Sequence, residues 1–228
     1  VCSARLSGQP TKVGTTNGTY LWTMLNNCLK KITQNNGRIL MRKLVLFMHL
    51  SLDGFAAGPH GELDWVSYDE ELEKHAEDIV STVGSPIYGR VTYQMMEGYW
   101  PTVLQDTAAT KHDLDHARWV EDVEKIVFSE TLEKVEWNNT RLIKDNIAEE
   151  VLKLKQQPGK DLVIFGSPGL ARSLMQLGLI DAYQLTVTPV ILGRGIPLFA
   201  DVEDKIKLKL VNSKTFRSGV LALHYEAE

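Results

Sequence analysis

The chain has two cysteines, Cys2 and Cys28, and none in the 200 residues that follow. Two cysteines cannot by themselves build a disulfide framework or a four-ligand zinc site, and thiol catalysis is excluded after residue 28. No run of eighteen or more apolar residues occurs, so no segment is expected to span a bilayer as a helix. Surplus positive charge is missing as well: 25 basic against 29 acidic residues give a net −4. Neither nucleic acid nor an anionic membrane is therefore an expected partner. The hydrolase motif G-x-S-x-G is absent, and so are G-x-G-x-x-G and the Walker lysine motif. What is present is ordinary globular composition, 43% hydrophobic and 24% charged. With few cysteines and no secretory signal core, a reducing, cytoplasmic location is expected.

Asp and Glu are also missing from residues 1–40, which carry Arg5, Lys12, Lys30, Lys31 and Arg38. The remaining chain therefore has a net charge of −9. The leader is rich in Gly, Ser, Thr and Asn, with one helix-like stretch over 20–32. It is expected to be a poorly ordered extension or sequence upstream of a start at Met41, with an organelle transit peptide as the alternative. The functional domain is expected to be residues 41–228.

From Met41 the pattern is regular. Lys43–Leu50 is a continuous apolar run, as a strand buried on both faces requires. The spacing predicts helices over 69–82, 91–99, 107–120, 147–156 and 170–177, with Asp69 as a cap and Pro101 as a stop. Strands are predicted over 85–89, 124–128, 140–143, 161–165, 182–189, 206–215 and 220–225. Alternating strands and helices followed by strands joined directly imply an α/β fold, with a mostly parallel sheet and an antiparallel C-terminal edge.

Three turns could carry chemistry. In Phe165-Gly166-Ser167-Pro168-Gly169-Leu170 a buried strand runs through a Gly-rich turn into a helix. Such a helix start offers free N–H donors to a pyrophosphate, although a tight strand–helix connection would read the same way. Gly89-Arg90-Val91-Thr92 has the same layout, with a guanidinium in the first helical turn. Arg there opposes the helix dipole unless an anion is present, and a solvated surface arginine is the alternative. The third, Ser51-Leu52-Asp53-Gly54, opens a Gly-containing loop that ends at Trp65 and has the character of a lid. Asp53, Asp64, Asp69 and Glu70 are the nearby carboxylates; each could be a proton donor, a cap or a solvated charge. Of six histidines, His112 and His116 share a helix face, but no third ligand is evident and no metal is expected.

The stretches SLDGFAAGPHGELDW (51–65), PIYGRVTYQMMEGYWP (86–101), KIVFSETL (125–132), LVIFGSPGLARSLM (162–175) and GLIDAYQLTVTPVILGRGIPLF (178–199) together resemble the dihydrofolate-reductase-like superfamily. Their order resembles the branch that includes the reductase domain of riboflavin biosynthesis. The resemblance implies a three-layer sandwich and an NADPH-dependent reductase of a pyrimidine- or pteridine-like heterocycle, working as a homodimer. It implies cofactor contacts at Gly89, Arg90, Thr92, Ser129, Gly166, Ser167, Gly169 and Leu170. Ser51, Asp53 and Trp65 would face the substrate, and Asp53 or Glu70 would assist proton delivery. A non-catalytic nucleotide-binding protein and a dihydrofolate reductase proper are the alternatives. Two departures stand out. Phe55 occupies a position where the branch usually carries Lys or Arg, and the leader lacks the H-x-E and P-C-x-x-C signature of the deaminase that often accompanies this reductase.

Overall fold

The computed structural model describes residues 41–228. The leader, with both cysteines and its helix-like stretch, lies outside the described residues. Ten strands and five helices follow: β1 (Leu44–Ser51), β2 (Phe55–Ala57), α1 (Glu70–Thr82), β3 (Val83–Gly89), α2 (Arg90–Val103), α3 (Lys111–Asp122), β4 (Lys125–Phe128), β5 (Thr140–Ile143), α4 (Ile147–Gln156), β6 (Asp161–Phe165), α5 (Pro168–Gln176), β7 (Ala182–Thr188), β8 (Ile196–Pro197), β9 (Leu208–Thr215) and β10 (Leu221–Ala227).

Eight strands form one sheet in the order β5-β4-β3-β6-β1-β7-β10-β9, and β2 pairs with β8 in a separate ribbon. The six strands from β5 to β7 are parallel, whereas β10 runs antiparallel to both β7 and β9. The alternation of β1 explains its largely apolar sequence. Leu44, Leu46, Met48 and Leu50 pack on one face with Val151 and Leu154 of α4 and Leu174 of α5. Phe47 packs on the other with Ile79 of α1, Tyr93 of α2 and Val120 of α3. A central parallel strand must be apolar on both sides because helices cover both faces.

Capping chemistry sets the start of two helices. The Asp69 carboxylate accepts from the Leu72 amide at 2.9 Å, and Glu70, Glu71 and Glu73 complement the dipole of α1. Thr110 caps α3 through the Asp113 amide at 3.1 Å, so that helix starts at Lys111 and not at Thr107. Pro101 does not stop α2, which continues to Val103. A proline in the last turn forfeits only one backbone bond, and its fixed φ suits the helix. The ribbon of β2 and β8 is also absent from the sequence-based expectation, because two- and three-residue strands carry no readable period.

Two lysines are buried and earn their place through hydrogen bonds. Lys155 Nζ reaches the Leu179 carbonyl at 3.1 Å and Asp181 Oδ2 at 2.6 Å, and the same carboxylate accepts from the Leu44 amide. Lys125, fully buried, donates to the carbonyls of Val120 (2.6 Å), Val123 (3.1 Å) and Glu121 (3.2 Å), with its ammonium 4.8 Å from the Trp137 ring centroid. It thus closes the C-terminal end of α3, where a cation is favoured by the dipole. Replacing Lys125 with Ala leaves these carbonyls unpaired beside a cavity and should cost about 3 kcal/mol, lowering Tm by roughly 6–12 °C. Calorimetry showing a loss below about 2 °C would contradict that role.

Candidate functional site

The carboxyl ends of β3, β6 and β1 lie side by side, and a cleft of about 460 Å³ opens above them. This is where open parallel sheets place ligands. Two strand–helix turns form its floor, one from β3 into α2 and one from β6 into α5.

The turns are tied to each other by Ser167. The Gly89 amide donates to Ser167 Oγ at 3.0 Å, and the Ser167 amide donates to Thr92 Oγ1 at 3.2 Å. Ser167 and Thr92 are buried, so neither bond competes freely with water. To make them, Gly166 and Ser167 both take left-handed backbone conformations, at φ +58° and +54°. Such a conformation is routine for glycine but costs about 1 kcal/mol for serine.

Because Ser167 is spent on Gly89, it does not cap its own helix: neither α5 nor α2 has a side-chain cap or an acidic residue in the first turn. The other three helices have acidic residues in that turn. The two helix starts that face the cleft therefore keep unpaired amides and their partial positive charge. Arg90 adds an exposed guanidinium, which donates to Gln94 Oε1 at 3.3 Å. Gly169 leaves open space beside the α5 start, with nothing within 4 Å of where a Cβ would sit. A dinucleotide pyrophosphate fits this cradle of amides and open space, with one cation beside it.

The rest of the cleft is apolar. Its walls include Phe47, Met96 and Phe165, while the ribbon contributes Ala56, Ala57 and Ile196 as a flap. Gly195 permits that flap, since a Cβ there would lie 2.2 Å from the Ala57 carbonyl oxygen. Arg172 on α5 holds the flap from beneath by donating to the Pro197 carbonyl at 2.6 Å. Among the described residues, no Asp or Glu lines the cleft.

Of the expected site residues, Gly89, Arg90, Thr92, Gly166, Ser167, Gly169 and Leu170 are brought together here. Five others are not among the lining residues. Ser129 follows β4, and its hydroxyl accepts from the Leu132 amide at 3.0 Å. Trp65 donates its indole N–H to the Glu62 carbonyl at 3.1 Å, and Glu70 is exposed at the start of α1. Asp53 works within its own loops. Ser51 donates to Oδ1 at 2.7 Å, while the Leu192 and Gly193 amides donate to Oδ1 and Oδ2 at 3.1 and 2.8 Å. Partial desolvation opposes its charge, but these three donors together hold the carboxyl below its ordinary range.

Sequence reasoning missed His49, near the end of β1. Its Nδ1 lies 2.6 Å from Thr186 Oγ1, and its ring meets Phe47 and Tyr68 edge-on at 5.1 and 5.6 Å. The available signal was a lone polar residue in an apolar run. Burial, reinforced by nearby His75, pushes its pKa down to about 4. His116, packed on Trp100 at 4.3 Å, is likewise pushed down to about 4 by burial and by His112. An unfolded histidine takes a proton near pH 6.5 that these two refuse, so stability is complete above that pH and falls towards pH 4. The expected slope is up to about 1.4 kcal/mol per pH unit for each ring. His49→Gln should remove one ring's share from denaturant curves between pH 6.5 and 4; an unchanged slope contradicts the assignment.

Comparison with known proteins adds the following. A family model described as the RibD C-terminal domain matches residues 42–222. The uncharacterized protein YyaP of Bacillus subtilis (strain 168) is 38% identical over 185 residues, covering 81% of this chain and 94% of its own. A Thermotoga maritima diaminohydroxyphosphoribosylaminopyrimidine deaminase/5-amino-6-(5-phosphoribosylamino)uracil reductase superposes with a TM-score of 0.59 at 17% identity, over 82% of this chain and 57% of that one. Dihydrofolate reductase from Enterococcus faecalis, solved with NADP(H) and an inhibitor named RAB-propyl, gives a TM-score of 0.54 at 15% identity, over 82% of this chain and 96% of that one. These two structures share the mostly parallel sheet with its antiparallel edge. Among the described residues no helix is long and apolar enough to cross a membrane.

Proposed function

The chain belongs to the RibD C-terminal domain family, and on that footing we propose that it is an NADPH-dependent reductase of a pyrimidine- or pteridine-like heterocycle. The observation that carries this reading is the convergence of two uncapped, acid-free helix starts on one apolar cleft. A nicotinamide cofactor, when bound, supplies a hydride.

The chain's own residues would do the rest. The amides of Gly169 and Leu170 at the α5 start, and those of Val91 and Thr92 at the α2 start, would hold the phosphates. Arg90 would pair with the extra phosphate that separates NADPH from NADH. The flap and the aromatic walls would pack against the ring being reduced. Proton delivery would come from water, since no carboxylate among the described residues lines the cleft and His49 is uncharged at neutral pH. Asp53 would fix the loops that carry the flap, through its bonds to the Leu192 and Gly193 amides.

Arg90→Ala should weaken NADPH by about 10- to 100-fold, the equivalent of one charge-assisted phosphate contact, and change NADH by less than about threefold. Fluorescence titration of the two nucleotides measures this. Equal losses for both would contradict the phosphate role, and no binding of either to the parent protein would remove the proposal.

A further inference from the structure

The substrate half of the cleft has two polar side chains of its own, His49 and Tyr68. Thr186 is fully buried and occupies His49 Nδ1, so Nε2 is the imidazole nitrogen left without a partner among the described residues. Phe47, Leu63, Met95 and Phe165 line the same cleft. The rim is largely apolar: Val91 and Met95 are 70% and 46% exposed, and Tyr68, at 60%, adds one hydroxyl. Among the described residues, Arg90 is the one cation in the lining, and it sits at the α2 start with the other anion-holding groups. Arg194 lies outside the lining, on the exposed loop before β8, with Glu62 near enough to feel its charge.

A phosphate buried against such walls would lose its hydration with no cation to replace it. A flat neutral ring loses little and gains from edge and face contacts with the aromatic residues. A neutral imidazole with one nitrogen fixed offers a single hydrogen bond from the other, enough to orient a ring carbonyl or ring N–H.

We propose that this cleft takes an uncharged, unphosphorylated heterocycle, with His49 Nε2 as its hydrogen-bonding anchor and Thr186 as the residue that positions the imidazole. The proposal rests on the reductase reading for the cofactor half of the cleft and narrows the substrate class of that same site. It separates this chain from a reductase of phosphoribosyl compounds.

The test uses full-length protein labelled at histidine nitrogens, first with NADP+ bound, then without it. The probes are 5,6-diaminouracil, a neutral ring, and ribose 5-phosphate, a phosphate without a ring. Diaminouracil should move the His49 nitrogen resonances saturably, and ribose 5-phosphate should leave them in place. His49→Leu should weaken diaminouracil by about tenfold with NADP+ affinity unchanged, as loss of one hydrogen bond implies. Thr186→Val should displace the His49 resonances and weaken diaminouracil, while Thr186→Ser should restore both. The proposal is overturned if diaminouracil leaves His49 unmoved, or if ribose 5-phosphate binds the NADP+-loaded protein as tightly as diaminouracil does. A phosphate response lost in Arg194→Ala would locate the overlooked cation. Failure of NADP+ to bind would instead remove the reductase reading, and the titration without NADP+ would still report on His49.

Discussion

Ser167 is the hinge on which the site turns. Its hydroxyl and amide bond to the neighbouring strand–helix turn, at Gly89 and Thr92, and not to the helix it begins. A serine before a helix ordinarily satisfies one of that helix's free amides. Here the left-handed conformation of Gly166 and Ser167 redirects it sideways. The two turns become one rigid floor, and the start of α5 keeps its donors available. The two buried bonds it makes possible offset the local strain.

Charge is distributed to the same end. The helices that begin away from the cleft have acidic first turns, and two of them have side-chain caps as well. The two that begin at the cleft have neither, and one carries Arg90 where the dipole disfavours it. Stability has been left out at one place, where a bound anion would restore it. The opposite wall provides apolar surface and a single imidazole. One half of the cleft therefore suits phosphate and the other suits a neutral ring, a division expected of a site that brings a dinucleotide to a small substrate.

Much of this was legible in the sequence, for physical reasons that differ by element. β5, α4 and β6 have the predicted bounds because strong periods meet clear stops, such as Pro158 after α4. Both glycine turns could be read because glycine at a strand end followed by a helix restricts the backbone to few paths. The role of Asp53 was hidden because its partners, the Leu192 and Gly193 amides, come from the far end of the chain. His49 was hidden because a single histidine inside a buried strand has no pattern; only the pairing of His49 with Thr186 across β1 and β7 gives it a fixed orientation. The flap was hidden because its two strands are too short to alternate.

The central claim is that the uncapped starts of α2 and α5 receive the phosphates of one nucleotide. Backbone amide chemical shifts of the labelled protein, followed during titration with NADPH, test it most directly. The account predicts that the largest shifts fall on Val91, Thr92, Gly169 and Leu170, the amides that acquire charged acceptors. Saturating NADPH that moves amides elsewhere while these four stay in place would contradict it.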